Sequence, residues 1–241
     1  MMNFDMIVHY RKKESHMDVF SNFDFHDISI SEREKYVQDM KRIRNELESH
    51  IIPESYPDLI SNFNMMLISS LNPEIIREEI INLSSYCLVS KDWIRVLSSL
   101  LKGKRCLEIM SGLGMLSKAL QDEKIEIIAT DSKEWEFDDD LYWTEVKTMD
   151  AISAIEVYGR DMDFIICSWI PYPSDIGRKV LLKMREVNPK LKMVYIGEFG
   201  GCCADESFFA LCEVEEDNHI YKANQIFKNW AGIHDHIYLL R

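Results

Sequence analysis

From residue 90 onward, short β-rich apolar runs alternate with stretches of helical periodicity, and this alternation restricts the fold more than any other feature of the chain. The runs are RCLEI (105–109), IEIIATD (125–131), DFIICSW (163–169) and LKMVYIGE (191–198). Helical patterns lie near 115–120, 151–158 and 177–186, and another near 205–212. Near-continuous apolar strands are covered on both faces, and strand–helix–strand units of this length return the chain to run parallel to itself. The expected fold is therefore α/β, with a mostly parallel sheet between two layers of helices. Ser90 reads as the cap of a helix ending at Gly103, and the tail GIHDHIYLLR reads as a final strand.

Before residue 90 the periodicity is helical only. Ser31 and Glu34 read as a capping box, and Tyr36, Val37, Met40, Ile43 and Leu47 follow at helical spacing, which predicts a helix over 31–49. Pro57 and Asn72-Pro73 look like further helix starts. Leu59, Ile60, Phe63, Met66 and Leu67 would give the first an apolar face, and Ile76, Ile80 and Leu83 the second. The division expected is a helical extension over 1–89 and an α/β domain over 90–241.

Charge narrows the partners. The chain of 241 residues carries 28 basic and 41 acidic side chains, a net charge of −13, which repels phosphate backbones and disfavours a nucleic-acid footprint. A small molecule or a protein is the expected partner. The six cysteines form no CxxC pair and several lie in strand runs, which suits reduced thiols in a cytoplasmic protein. With no long apolar run and no signal-like N-terminus, neither a membrane span nor secretion is expected. His234 and His236 would share a strand face, but the sequence supplies no third ligand, so no metal is expected. Cys202 and Cys203 lack an adjacent activating base and are read as structural.

In open α/β sheets, ligands sit beyond the carboxyl ends of the strands. The first such end reads Glu108-Ile-Met110-Ser111-Gly112-Leu-Gly114, where the glycines let the backbone approach a ligand. The second ends in Asp131, a carboxylate able to accept two hydrogen bonds from a ribose diol. A glycine turn followed by a strand-end acid describes a nucleoside-bearing cofactor. The dinucleotide fingerprint fits less well, because only G-x-G of its G-x-G-x-x-G is present.

This ordered series resembles class I S-adenosylmethionine-dependent methyltransferases. Their first motif, acid-x-Gly-x-Gly-x-Gly, is matched at Glu108, Gly112 and Gly114, with Met110 where the first glycine would stand and Ser111 beside it. Asp131 matches the ribose-binding acid, and Asp150 resembles the acid that holds the adenine amino group, with Met149 as an adenine neighbour. CSWIPY (167–172) resembles the fourth motif, beside the transferred methyl group. The resemblance implies a Rossmann-like, mostly parallel seven-stranded sheet and S-adenosylmethionine as cofactor, with S-adenosylhomocysteine as product. Trp169 stands where DNA amino-methyltransferases carry Asn or Asp, which removes the principal residue of base N-methylation.

On the acceptor side the candidates are Ser168, Trp169, Tyr172 and Glu198. Trp169 and Tyr172 would form an aromatic wall for a planar or cationic acceptor, and Glu198 would act as base or orienter. Each residue has a plainer alternative: a tight turn for the glycines, a helix cap for Asp131 or Asp150, turn organisation for Glu108, and packing for Trp169 and Tyr172. At the level of the whole chain, the alternative is a methyltransferase-like module that binds cofactor or protein without catalysis.

Overall fold

The computed structural model describes residues 28–62 and 73–241. Two compact units divide the chain, Met1–Lys35 and Tyr36–Arg241. The expected cap at Asn72 and the apolar positions Phe63, Met66 and Leu67 lie outside the described residues.

Helix α1 spans Ile30–Glu48. Its capping box is two residues earlier than expected: Ser29 Oγ accepts from Glu32 N at 3.3 Å, and Glu32 Oε2 accepts from Ser29 N at 2.9 Å. Ser29-x-x-Glu32 and Ser31-x-x-Glu34 satisfy the same pattern, and the earlier one extends the helix. Pro57 precedes a short 3₁₀ turn, Asp58–Ser61, rather than opening an α-helix, whereas Pro73 does open helix α2, Pro73–Leu83. Helix α3, Lys91–Leu101, starts after Ser90, but Ser90 does not cap it through its side chain. The carbonyls of Pro53 and Glu54 instead accept from Lys91 N and Asp92 N at 3.0 and 3.1 Å, satisfying two N–H groups that a helix start leaves open.

The sheet has seven strands: β1 (Arg105–Glu108), β2 (Glu126–Asp131), β3 (Val146–Thr148), β4 (Phe164–Ser168), β5 (Lys192–Gly197), β6 (Val214–Glu215) and β7 (His236–Leu240). Their order is β3-β2-β1-β4-β5-β7-β6. The pairs from β3 to β5 are parallel, and β7 runs antiparallel to β5 and β6. Helices α4 (Met115–Asp122), α5 (Ala151–Tyr158) and α6 (Ile176–Val187) connect the parallel strands, and α7 (Glu206–Phe209) and α8 (Asn218–Asn224) lie between the last three. This is the mostly parallel, Rossmann-like α/β architecture that the sequence implied.

Strand alternation assigns the two faces. Leu107, Ile165 and Met193 are register neighbours and join Ala154, Ile155, Val180, Leu181 and Met184 in one core beneath α5 and α6. The opposite set, Glu108, Ile166 and Val194, points to the other face, where Ser117 of α4 reaches Glu108. The buried aliphatic side chains of that core are each worth about 1.5–3 kcal/mol relative to exposure. From β1 the chain builds outward through β2 to β3, then crosses back to place β4 on the other side of β1. That reversal makes the carboxyl ends of β1 and β4 the topological switch point of the sheet.

Candidate functional site

The turn after β1 is tied together by its own backbone and by neighbouring strand ends. Ile109 N continues the ladder to Ile166 O at 3.0 Å, and Ser111 N donates to Thr130 O at 3.1 Å. Met110, Gly112 and Gly114 all have positive φ, at 53°, 53° and 76°. Met110 thus adopts the left-handed conformation that glycine visits freely, at the position where the methyltransferase motif carries glycine; for an ordinary side chain this costs about 1–2 kcal/mol. The two glycines differ in what surrounds them. A Cβ on Gly114 would stand 2.8 Å from Val146 Cγ2, whereas one on Gly112 would meet no protein atom within 4 Å. Gly114 is required by packing, and Gly112 leaves its backbone open to an approaching group.

Asp131 closes this turn. Its Oδ2 accepts from Gly112 N at 2.9 Å and its Oδ1 from Lys133 N at 2.7 Å, while its own carbonyl accepts from Met149 N at 2.8 Å. Each carboxylate oxygen keeps a lone pair beyond the one used. Ser111 is buried and its Oγ has no partner among the described residues, a hydroxyl whose isolation is costly unless another group meets it. Glu108 is buried beneath, where Ser117 Oγ donates to its Oε2. Burial pushes its carboxyl up to about 8. It sits under the turn, tied to Ser117 of α4. Glu108, Met110, Ser111, Gly112, Gly114, Asp131 and Met149 are brought together as a single strand-end constellation.

Asp150 takes the plainer of its two readings in this structure. Its Oδ1 accepts from Ile152 N and Ser153 N at 3.0 Å, and Ser153 Oγ donates to its Oδ2 at 2.6 Å, so it caps α5. The Ser153 hydroxyl and the backbone N–H bonds hold its carboxyl below the usual range.

At the end of β4, Ser168 Oγ donates to Cys87 Sγ at 3.4 Å. Burial pushes the Cys87 thiol up to about 12, so it stays protonated. Trp169 has φ 55°, a second non-glycine residue in the left-handed region at the switch point. Its backbone N–H continues the ladder to Ile196 O at 2.8 Å, and its Nε1 donates to Asp235 Oδ2 at 3.0 Å. Asp235 is buried; burial raises its pKa, and bonds from Trp169 and Asn229 counteract the rise. The expected pairing of Trp169 with Tyr172 is replaced: among the described residues the ring of Trp169 stacks on Tyr86, with centroids 5.5 Å apart and planes at 20°, while Tyr172 is 63% exposed. Trp135 in turn stands edge-on to Tyr86 at 6.4 Å.

Glu198 follows β5, and each of its oxygens accepts one backbone bond. Oε2 accepts from Cys202 N at 2.9 Å and Oε1 from His234 N at 2.7 Å. Burial alone would raise its pKa, and the two backbone bonds outweigh it, so the carboxyl is held below its ordinary value. This is the chemistry of a loop anchor, not of a proton acceptor near neutrality.

Sequence reasoning missed Tyr86, Trp135 and Trp143, the last of which lies just after the acidic run over 134–140. Trp143 is buried, with its Nε1 donating to Leu83 O at 2.9 Å and its ring edge-on to His50 at 4.9 Å. Residues 83–87 thus contact the region beyond the strand ends through Leu83, Tyr86 and Cys87. Among the described residues no group of three or more His, Cys, Asp or Glu is arranged to hold a metal ion, and no helix is long and apolar enough to cross a membrane.

No family model matches the chain, and no curated protein matches it. Among solved structures, the chain is similar to a mutant of MtNAS, with 11% identity and a TM-score of 0.40 over 89% of this chain and 78% of that one. It is also similar to the Pyrococcus abyssi tRNA uracil methyltransferase in complex with S-adenosyl-L-homocysteine, with 15% identity and a TM-score of 0.33 over 61% of this chain and 37% of that one. The plantazolicin methyltransferase BpumL in complex with SAH shows 10% identity and a TM-score of 0.34, over 73% of this chain and 69% of that one. Likenesses this distant do not bear on chemistry, which has to be argued from the strand-end constellation itself.

Proposed function

We propose that the chain is an S-adenosylmethionine-dependent methyltransferase acting on a small molecule or a protein side chain. The observation that carries this reading is the pairing of Gly112, whose backbone faces open space, with Asp131, whose carboxylate holds that same backbone while keeping lone pairs free. The residues fit the cofactor. Asp131 would accept from the ribose hydroxyls, Gly112 would allow close approach, and the unpartnered Ser111 hydroxyl would gain a partner. Met149 and Asp150 are proposed for the adenine end, Asp150 in addition to its capping role. Glu108 and Gly114 would act by holding the turn, and Met110 fixes its path at a backbone angle that costs stability.

When bound, the cofactor supplies a methyl group already activated on a sulfonium, so the protein's share is alignment and exclusion of water. Ser168, Trp169 and Tyr172 are proposed to flank the acceptor, with residues 83–87 shaping that side of the 90–241 domain. Glu198 would position the loop over 198–202. The six free cysteines suit a reducing, cytoplasmic setting.

A second reading, a module that binds without turnover, draws on the lowered pKa of Glu198, which makes its carboxylate a weak base for an acceptor. Incubation with S-adenosylmethionine and fractionated metabolite or protein pools, followed by mass spectrometry, separates the two. S-adenosylhomocysteine formation that depends on one fraction and on Asp131 supports transfer; cofactor binding with no product from any fraction supports the module.

A further inference from the structure

The aromatic groups at the end of β4 form a corner that packing alone does not require. Tyr86 and Trp135 are 38% and 62% exposed, which is costly surface to leave in water beside a switch point. Tyr86 stacks on Trp169, and Trp135 meets Tyr86 at 60° with centroids 6.4 Å apart. A cation seated on the open face of Tyr86 meets its π cloud, with Trp135 standing beside it.

The surroundings fix the sign of the ligand. Trp169 donates a hydrogen bond from its Nε1 to Asp235, which places a carboxylate behind the ring on which Tyr86 stacks and favours positive charge on this side. Asn229 Nδ2 donates to Asp235 Oδ1 at 2.7 Å, so the carboxylate, and with it the indole, is held in place. Trp135 lies within an acidic stretch, Glu134, Glu136, Asp138, Asp139 and Asp140, on a chain of net charge −13. The same loop already carries a cation on an aromatic face, with Lys133 Nζ 4.2 Å from the centroid of Tyr142.

We propose that Tyr86 and Trp135, with Trp169 stacked behind Tyr86, form a binding corner for an alkylammonium group, the part of the acceptor by which the enzyme recognises it. This deepens the methyltransferase reading and rests on it for the word acceptor. The corner itself does not depend on the cofactor. An alkylammonium is favoured over a neutral planar ring because the carboxylate behind Trp169 and the acidic loop around Trp135 reward positive charge, whereas stacking alone would not need them.

The test uses the full chain and two probes of equal shape, choline and its neutral carbon isostere dimethylbutanol, titrated by tryptophan fluorescence and by NMR line broadening without cofactor. Choline is expected to bind at least about fivefold more tightly than the isostere. Trp135→Ala and Tyr86→Leu are each expected to weaken choline binding about threefold or more. Both variants change exposed rings, and an unchanged urea midpoint verifies their fold. Equal affinity for the two probes, or choline binding untouched by both substitutions in folded variants, overturns the proposal. A parallel titration with S-adenosylhomocysteine keeps the two ideas apart. S-adenosylhomocysteine binding without choline preference removes the corner and leaves the cofactor site, whereas the reverse result keeps the corner and removes the methyltransferase reading.

Discussion

Gly112 and Gly114 share a left-handed backbone but not a neighbourhood, so alanine at the two positions should separate folding from binding. At Gly114 the φ of 76° is strained for any side chain, and the new Cβ would lie 2.8 Å from Val146 Cγ2 and 3.2 Å from Thr144 Cγ2. The backbone strain costs about 1–2 kcal/mol and the overpacking about 1–3 kcal/mol, offset by roughly 0.4–1 kcal/mol because alanine restricts the unfolded chain. The expected loss for Gly114→Ala is about 1–4.5 kcal/mol. At Gly112 the overpacking is absent, because nothing lies within 4 Å, and the expected loss is about 0–1.5 kcal/mol. Urea unfolding followed by tryptophan fluorescence and circular dichroism measures both. Binding should rank the other way: in the folded variants, S-adenosylhomocysteine affinity should fall more for Gly112→Ala, whose methyl enters the space left for the ligand. Equal destabilisation by the two substitutions, or full cofactor affinity in Gly112→Ala, would refute the reasoning.

Further expectations concern the carboxylates. Glu108 has a raised pKa of about 8 in the fold against 4.5 as its ordinary value, so its contribution to stability is full below pH 4.5 and is lost as pH rises towards 8; the wild type should lose urea stability relative to Glu108→Gln across that window, and parallel pH profiles would count against the assignment. Glu198 is the opposite case: its lowered pKa contributes stability that is present above pH 4.5 and lost as pH falls through the folded value, and Glu198→Gln should remove that acid dependence from the unfolding midpoint. Asp150→Ala should cost about 0.5–2 kcal/mol through loss of the α5 cap, read by thermal melting; unchanged S-adenosylhomocysteine affinity in the same variant would remove the adenine role.

How much of this could be read from the chain depended on whether a residue's fate was decided locally. Strands β1, β2, β4 and β5 were legible because their apolar runs have no other stable use, and helix α5 matched the reading at Ala151–Tyr158. Strands β3 and β6, of three and two residues, are too short to carry a period and exist because a neighbouring strand offers a ladder. Gly112, Gly114 and Asp131 were legible as a constellation because strand-end positions follow from strand boundaries. Glu198 was not, since its partners are backbone groups of Cys202 and His234, and no side-chain pattern announces them. Trp143 sits beside an acidic run that suggested exposure, yet Leu83 and His50 cover it from far along the chain. Tyr86 and Trp135 escaped for the same reason: only the packed fold brings them to Trp169.

Calorimetric titration of the wild-type chain and Asp131→Ala with S-adenosylmethionine and S-adenosylhomocysteine tests the cofactor site most directly. Asp131 both holds Gly112 and offers its free lone pairs to a ribose, so the variant should bind about 1.5–3 kcal/mol more weakly, roughly ten- to 150-fold. Micromolar binding by the wild type with that loss in the folded variant is the expected result. Absence of binding by folded wild type, or equal affinity in the two proteins, would contradict the assignment of this strand-end turn as a nucleoside-binding site.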